Sequence, residues 1–151
     1  MPAKLSKKYS IREYRLFIEA WFFLAIARTL IFWIPFRKLL PLIGRQLSQE
    51  EADMAVSAQV ASNDLFELIQ ISIRRACCRS PWRTKCFEQA LSVRMMLRRR
   101  GIKSIVYFGV RKSLSDQKET LEAHAWLICS GVVVTGSENN STFTIVGRFL
   151  T

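Results

Sequence analysis

From Tyr14 to Arg45 the chain reads YRLFIEAWFFLAIARTLIFWIPFRKLLPLIGR, unusually apolar, its longest apolar run bounded by Glu19 and broken by Arg28 before Pro35. A stretch without a polar face reads as a helix enclosed by protein or by lipid. The two internal charges make a membrane span marginal. A buried or partner-docked helix ending near Pro35 is therefore expected, then a short second helix up to the Pro41–Gly44 region. Lys and Arg flank the block, so membrane contact through residues 14–45, with the helix lying in the plane, stays open. Ser48 with Glu51 makes a capping-box signature, and Leu65, Leu68, Ile69 and Ile73 follow at helical spacing, which predicts a helix from Ser48 to Cys77. Pro81 breaks that pattern. It resumes in CFEQALSVRMMLRRRG, where Cys86, Ala90, Val93 and Leu97 share one face and Gly101 is a natural stop.

Beyond Gly101 the period changes. Ile102 to Val110 is rich in β-branched and aromatic residues, Arg111 to Thr120 reads as a polar loop, and EAHAWLIC and VVVTG flank a tight Ser130-Gly131 turn. Thr142 to Phe149 is a last strand. Helices first and an antiparallel sheet afterwards make an α+β fold. Residues 1–78 form its helical region and residues 79–151 its core, within one compact domain.

Composition narrows the function classes. Half of the 151 residues are hydrophobic and 23% are charged, so the chain carries a real core. The net charge of +11 invites an anionic partner, but it is unevenly spread. Residues 74–103 hold ten Lys/Arg against one Glu, a net +9, while residues 47–70 hold five acids and no Lys/Arg. The aromatics cluster in the first third instead of alternating with the Arg residues, which argues against a nucleic-acid reader. The basic segment suits an acidic peptide, or the Glu50, Glu51 and Asp53 stretch of a neighbouring copy. Met1 to Arg15 is basic and polar without a cleavage-like site, and adjacent Cys77-Cys78 is a poor start for a disulfide framework, so a reducing cytoplasm is expected. One His and four Cys without paired C-x-x-C spacing give no support for zinc, and no metal or cofactor is expected.

Two residues carry candidate chemistry. With Thr84 as the N-cap, Cys86 lies in the first turn of its helix, where free N–H groups and the helix dipole stabilise a thiolate or an oxyanion. His124, the only histidine, shares a strand face with Trp126 and Ile128, and small alanines adjoin it in sequence. A strand packed under the start of the Cys86 helix would bring nucleophile and base together. Each residue also has a plainer reading: Cys86 as core filler and His124 as a structural histidine. Cys77, Cys78 and Cys129 read as structural, and RMMLRRRG reads as a solvated helix end.

Taken together, PWRTKCFEQALSVRMMLRRRGIKSIVYFGV and EAHAWLICSGVVVTG resemble the leader peptidases of lasso-peptide biosynthesis, stand-alone B-type proteins of transglutaminase-like fold. The shared pattern is a Trp shortly before a Cys, a helix C-[LF]-x-Q-A-L, a basic RRRGI, a strand ending in GV, and H-A-W. The resemblance implies a papain/transglutaminase-like core and a cysteine protease that cuts a ribosomally made precursor peptide between leader and core. A separate leader-recognition protein and an ATP-dependent lasso cyclase would be its partners. On this resemblance Cys86 is the nucleophile and His124 the general base. Trp82 either walls the substrate cleft or fixes the helix entry, and Trp126 is a second candidate substrate contact. Relatives often place an acid about a dozen residues past the His. Here that region reads TGSENN, with Glu138 the nearest acid. A two-residue turn at Ser130-Gly131 sets Ser137 opposite His124 and points Glu138 away. Glu138 then serves only from a bulge, and the alternatives are a hydroxyl, an amide, a main-chain carbonyl or a bare dyad. Asp116 is a weaker source.

Overall fold

Ser10 opens the first helix: its hydroxyl accepts the N–H of Glu13 at 3.1 Å, and the Glu13 carboxylate accepts the N–H of Ser10 at 2.8 Å. From this reciprocal cap α1 runs over Ile11–Trp33. The computed structural model describes residues 9–57, 63–115, 118–137 and 140–151. α1 stops because Ile34 precedes a proline and is extended (φ −110°, ψ 123°). Pro35 then opens α2 (Phe36–Ile43). The expected Ser48–Glu51 cap is present, with bonds of 3.2 and 2.9 Å, and starts α3 (Gln49–Ser57). α4 spans Asn63–Arg79, so the single helix expected from Ser48 to Cys77 is two helical segments on either side of residues 58–62, which lie outside the described residues. α5 spans Cys86–Arg98.

Five strands follow the order β1-β5-β2-β3-β4, antiparallel throughout: β1 (Arg45–Gln46), β2 (Ile105–Ser115), β3 (Lys118–Cys129), β4 (Val132–Thr135) and β5 (Thr144–Leu150). The β3–β4 turn is the primed type that its sequence calls for, with positive φ at Ser130 (49°) and Gly131 (75°). The stretch Arg111–Thr120, expected as a loop, is instead largely strand. Cross-strand pairs hold it: Arg111 faces Glu122 at 2.6 Å and Lys112 faces Glu119 at 3.4 Å. A solvated two-stranded arm has no apolar alternation to betray it.

The sheet buries both faces by strict alternation along β3. Ala125, Leu127 and Cys129 join Val106 and Phe149 under the helices, against Ala90, Val93, Met96 and Leu97 of α5. Trp126 joins Ile105 and Tyr107 on the opposite face, which Leu47 and Ala52 cover. α1 lies antiparallel to α5, since Glu19 pairs with Arg100 at 2.6 Å and Arg28 pairs with Glu88 at 2.7 Å. It buries Leu16, Ala20, Leu24 and Ala27. Its other face is open, so α1 is buried in this chain along one face: Ile11, Tyr14, Ile18, Phe22, Phe32 and Trp33 are all exposed.

The basic segment is not one open surface, nor is RMMLRRRG simply solvated. Arg94 is 5% exposed and donates from Nη2 to the Leu42 carbonyl at 2.7 Å, near the end of α2. Burial, with Arg98 close by, pushes its pKa down to about 10. Arg100 donates to Glu19 and to the Met96 carbonyl. Arg75 reaches Glu13 at 3.8 Å, and Arg79 lies over the Phe17 ring at 5.5 Å.

Candidate active site

Glu88 fixes the start of α5. Its carboxylate is 1% exposed, accepts the N–H of Lys85 at 3.4 Å, and accepts from Arg28 at 2.7 Å. The helix therefore begins one residue later than Thr84 as N-cap implies. Lys85 takes the cap conformation (φ −98°, ψ 158°) and Cys86 is the first helical residue. The Thr84 hydroxyl instead accepts from the Gln89 amide at 3.4 Å. N–H groups of a first turn have no intrahelical acceptor, so they and the dipole favour negative charge that develops beside Cys86.

A cleft of about 400 Å³ opens at this helix start. Gln70, Arg74, Cys77 and Cys78 of α4 form one wall, and Cys86 and Gln89 form the second. His124 and the end of β4, Thr135 to Ser137, form the third. The structure thus brings Cys86 and His124 to one cleft, without a hydrogen bond between them.

The His124 ring is clamped. It stacks on Trp126 (centroids 5.8 Å apart, 26° between planes) and lies against Phe143 at 5.0 Å and 32°. Arg111 sits over the same Phe143 ring at 4.6 Å, tied in turn to Glu122 and Thr142. In the plane of the imidazole, Nε2 stands 2.9 Å from the Gly136 carbonyl oxygen. A carbonyl can only accept, so Nε2 carries the proton of this contact, and in the neutral tautomer that fits it Nδ1 is the bare nitrogen.

Gly136 is suited to that task by its backbone. Its φ is +76°, and a Cβ there would come 2.6 Å from the Ala125 oxygen and 2.7 Å from Trp126 Cβ. Local register explains its position. An irregularity beside Leu127 and Ile128 pairs Thr135 with Leu127, one residue off a regular hairpin, and β4 ends there. Ser137 therefore does not pair opposite His124, and a main-chain carbonyl orients the ring. Glu138 and Asp116 lie outside the described residues.

The remaining expectations sort as follows. Trp82 does not line the cleft among the described residues; it packs on Trp21 at 6.2 Å with a buried, unpartnered Nε1, which is the packing reading of that residue. Trp126 is 3% exposed, stacked at 9° on Tyr107 and borders a separate cavity beyond the sheet, so it supports His124 instead of reaching the cleft. Cys129 is buried and donates to the Lys103 carbonyl at 3.2 Å, a structural role. Cys77 and Cys78, expected to be structural, stand in the cleft wall. Burial pushes the Cys77 thiol up, partly offset by a hydrogen bond with Thr84. Sequence reading missed Gln70, whose amide donates to the Val133 carbonyl at 2.8 Å, and the Gly136 carbonyl. The signal for Gln70 was a lone amide beside the buried Phe66, Ile69 and Ile73; the signal for Gly136 was a glycine directly after a strand. Among the described residues no three His, Cys, Asp or Glu side chains gather closely enough to hold a metal ion.

Residues 30–148 match the family model described as transglutaminase-like superfamily, a span that contains the Cys86 helix, the His124 strand and Gly136. The chain belongs to the transglutaminase-like superfamily. Neither a curated protein nor a solved structure matches it. Helices packed on one face of an antiparallel sheet, with a cysteine opening the helix against that sheet, are a cysteine-protease-like fold, so this transglutaminase-like chain has the architecture for attack by a thiolate on a carbonyl.

Proposed function

We propose that this protein is a cysteine peptidase that removes the leader from a ribosomally made lasso-peptide precursor. The observation that carries the peptidase reading is the shared cleft of Cys86 and His124, with the base's tautomer set by the Gly136 carbonyl. The leader-peptidase reading rests on the motif set from Pro81 to Gly136. In the reaction, His124 Nδ1 takes the Cys86 thiol proton and the thiolate attacks the scissile carbonyl. First-turn N–H groups of α5 face the oxyanion. The imidazolium returns its proton to the leaving amine, which becomes the free N-terminus of the core. Water, deprotonated by His124, then hydrolyses the thioester and releases the leader carboxylate. Catalytic hydrogen bonds are often open in a free enzyme and close around substrate, which is the step the unbonded Cys86–His124 pair awaits.

A separate leader-recognition protein would present the precursor, and a lasso cyclase would join the new amine to an acidic side chain. The test is mass spectrometry of precursor peptide incubated with this protein and the recognition protein. Wild type is expected to make one cut between leader and core. Cys86→Ala should make none, and His124→Ala should cut about 10²–10⁴-fold more slowly. Intact precursor, with Cys86 unlabelled by a thiol-reactive probe at neutral pH, would make the chain a binding scaffold on a transglutaminase-like fold.

A further inference from the structure

Among the described residues, the outward face of α1 is a long uncovered apolar surface. Ile11, Tyr14, Ile18, Phe22, Phe32 and Trp33 follow one another at helical spacing and are between 48% and 82% exposed. Ala25 and Thr29 continue the row between Phe22 and Phe32. At about 1.5 Å per residue the helix is roughly 35 Å long. Singly exposed apolar residues need no explanation, but a continuous row of this length marks a docking face.

The charges beside that row are mostly positive. Both acids of α1 are held by arginines: Glu13 caps Ser10 and faces Arg75, and Glu19 is bound by Arg100 at 2.6 Å and faces Arg99 at 3.7 Å. Arg15 lies within the row. A groove of about 930 Å³ runs along it, with Ile11, Ile18 and Phe22 as apolar lining, Arg12, Arg15, Arg99 and Arg100 as cations, and Glu19 as the one acid, paired with Arg100. Arg12 and Arg15 have no acid partner among the described residues. In the sequence Lys4, Lys7 and Lys8 precede the helix, and exposed Arg37 and Lys38 follow it.

We propose that α1 is an in-plane docking helix for an anionic bilayer surface, its aromatic row inserted among the acyl chains and its arginines on lipid phosphates. An apolar row with aromatics at both ends and a net basic border, its one acid neutralised by Arg100, matches a surface whose interior is apolar and whose headgroups are negative. A second copy of this chain would set basic borders against each other. The helix does not cross the bilayer, because Leu16, Ala20, Leu24 and Ala27 are committed to the core and its central charges to Arg100 and Glu88. The inference stands independently of the peptidase reading.

The test is co-sedimentation of the full chain with vesicles of phosphatidylcholine alone and with phosphatidylglycerol added. Partition should be at least tenfold stronger on the anionic vesicles. It should fall tenfold or more in Phe22→Glu and in Trp33→Glu, with circular dichroism unchanged because both side chains already face water. Absent partition on anionic vesicles would overturn the proposal. So would partition that persists in both variants, or a solution dimer that the same variants dissociate while vesicles capture nothing.

Discussion

The two candidate residues that line the cleft are held in opposite ways. His124 is held by the Gly136 carbonyl at Nε2 and by the rings of Trp126 and Phe143, while Cys86 shows no hydrogen bond among the described residues and is placed by the helix that begins with it and by packing on the core. The difference suits what each would supply in the proposed reaction. A base needs the right nitrogen bare and the right ring angle, so it needs side-on contacts. A nucleophilic sulfur needs a defined Cα and a free path to substrate, which the start of a helix provides.

Disturbing the orientation of the base should have the largest effect. Gly136→Ala places a Cβ against Ala125 and Trp126 at a positive φ, so the carbonyl must move away from Nε2. The proposed cleavage is expected to fall about tenfold or more in kcat, with a smaller change in KM, and the pH–rate profile should shift because the tautomer is no longer fixed. An unchanged profile would leave Gly136 with a purely structural role. Disturbing the placement of the nucleophile should matter less. Glu88→Gln keeps an acceptor for the Lys85 N–H but loses the Arg28 pair. Because Arg28 is 44% exposed and returns to water, the cost should be about 1–2 kcal/mol, below that of a fully buried pair. Thermal denaturation should show it as a loss of a few degrees.

The smallest effect concerns the other thiols. Burial raises Cys77 and Cys129 above their ordinary 9.0, so the folded chain keeps protons that the unfolded chain gives up. Their contribution to stability is complete below about pH 9 and is lost as pH climbs through the raised values. Alkaline denaturation midpoints should therefore fall less steeply with pH in Cys129→Ala than in wild type, though the variant is less stable at neutral pH.

How much of this was legible in the sequence depends on whether a local or a long-range cause decided it. The Ser48–Glu51 cap, the α5 stripe of Ala90, Val93 and Leu97, and the Ser130-Gly131 turn are short-range devices and read correctly. The Arg111–Thr120 arm did not, because its strands are held by cross-strand charge pairs that look like a loop. Which face of α1 stays open was not legible because both faces have the same composition, and only packing decides which is covered. Cys86 and His124 could be named as a pair from spacing and resemblance. The Gly136 contact could not, since it depends on a one-residue irregularity beside Leu127.

The coupling of Cys86 to His124 is tested most directly without any substrate, by the rate at which iodoacetamide alkylates Cys86 at neutral pH in wild type and His124→Ala. Peptide mapping distinguishes Cys86 from the exposed Cys78. Cys86 should react at least tenfold faster in wild type than in His124→Ala, with Gly136→Ala between them. Equal rates in all three proteins would contradict the account, because the two residues would then share a cleft and no proton.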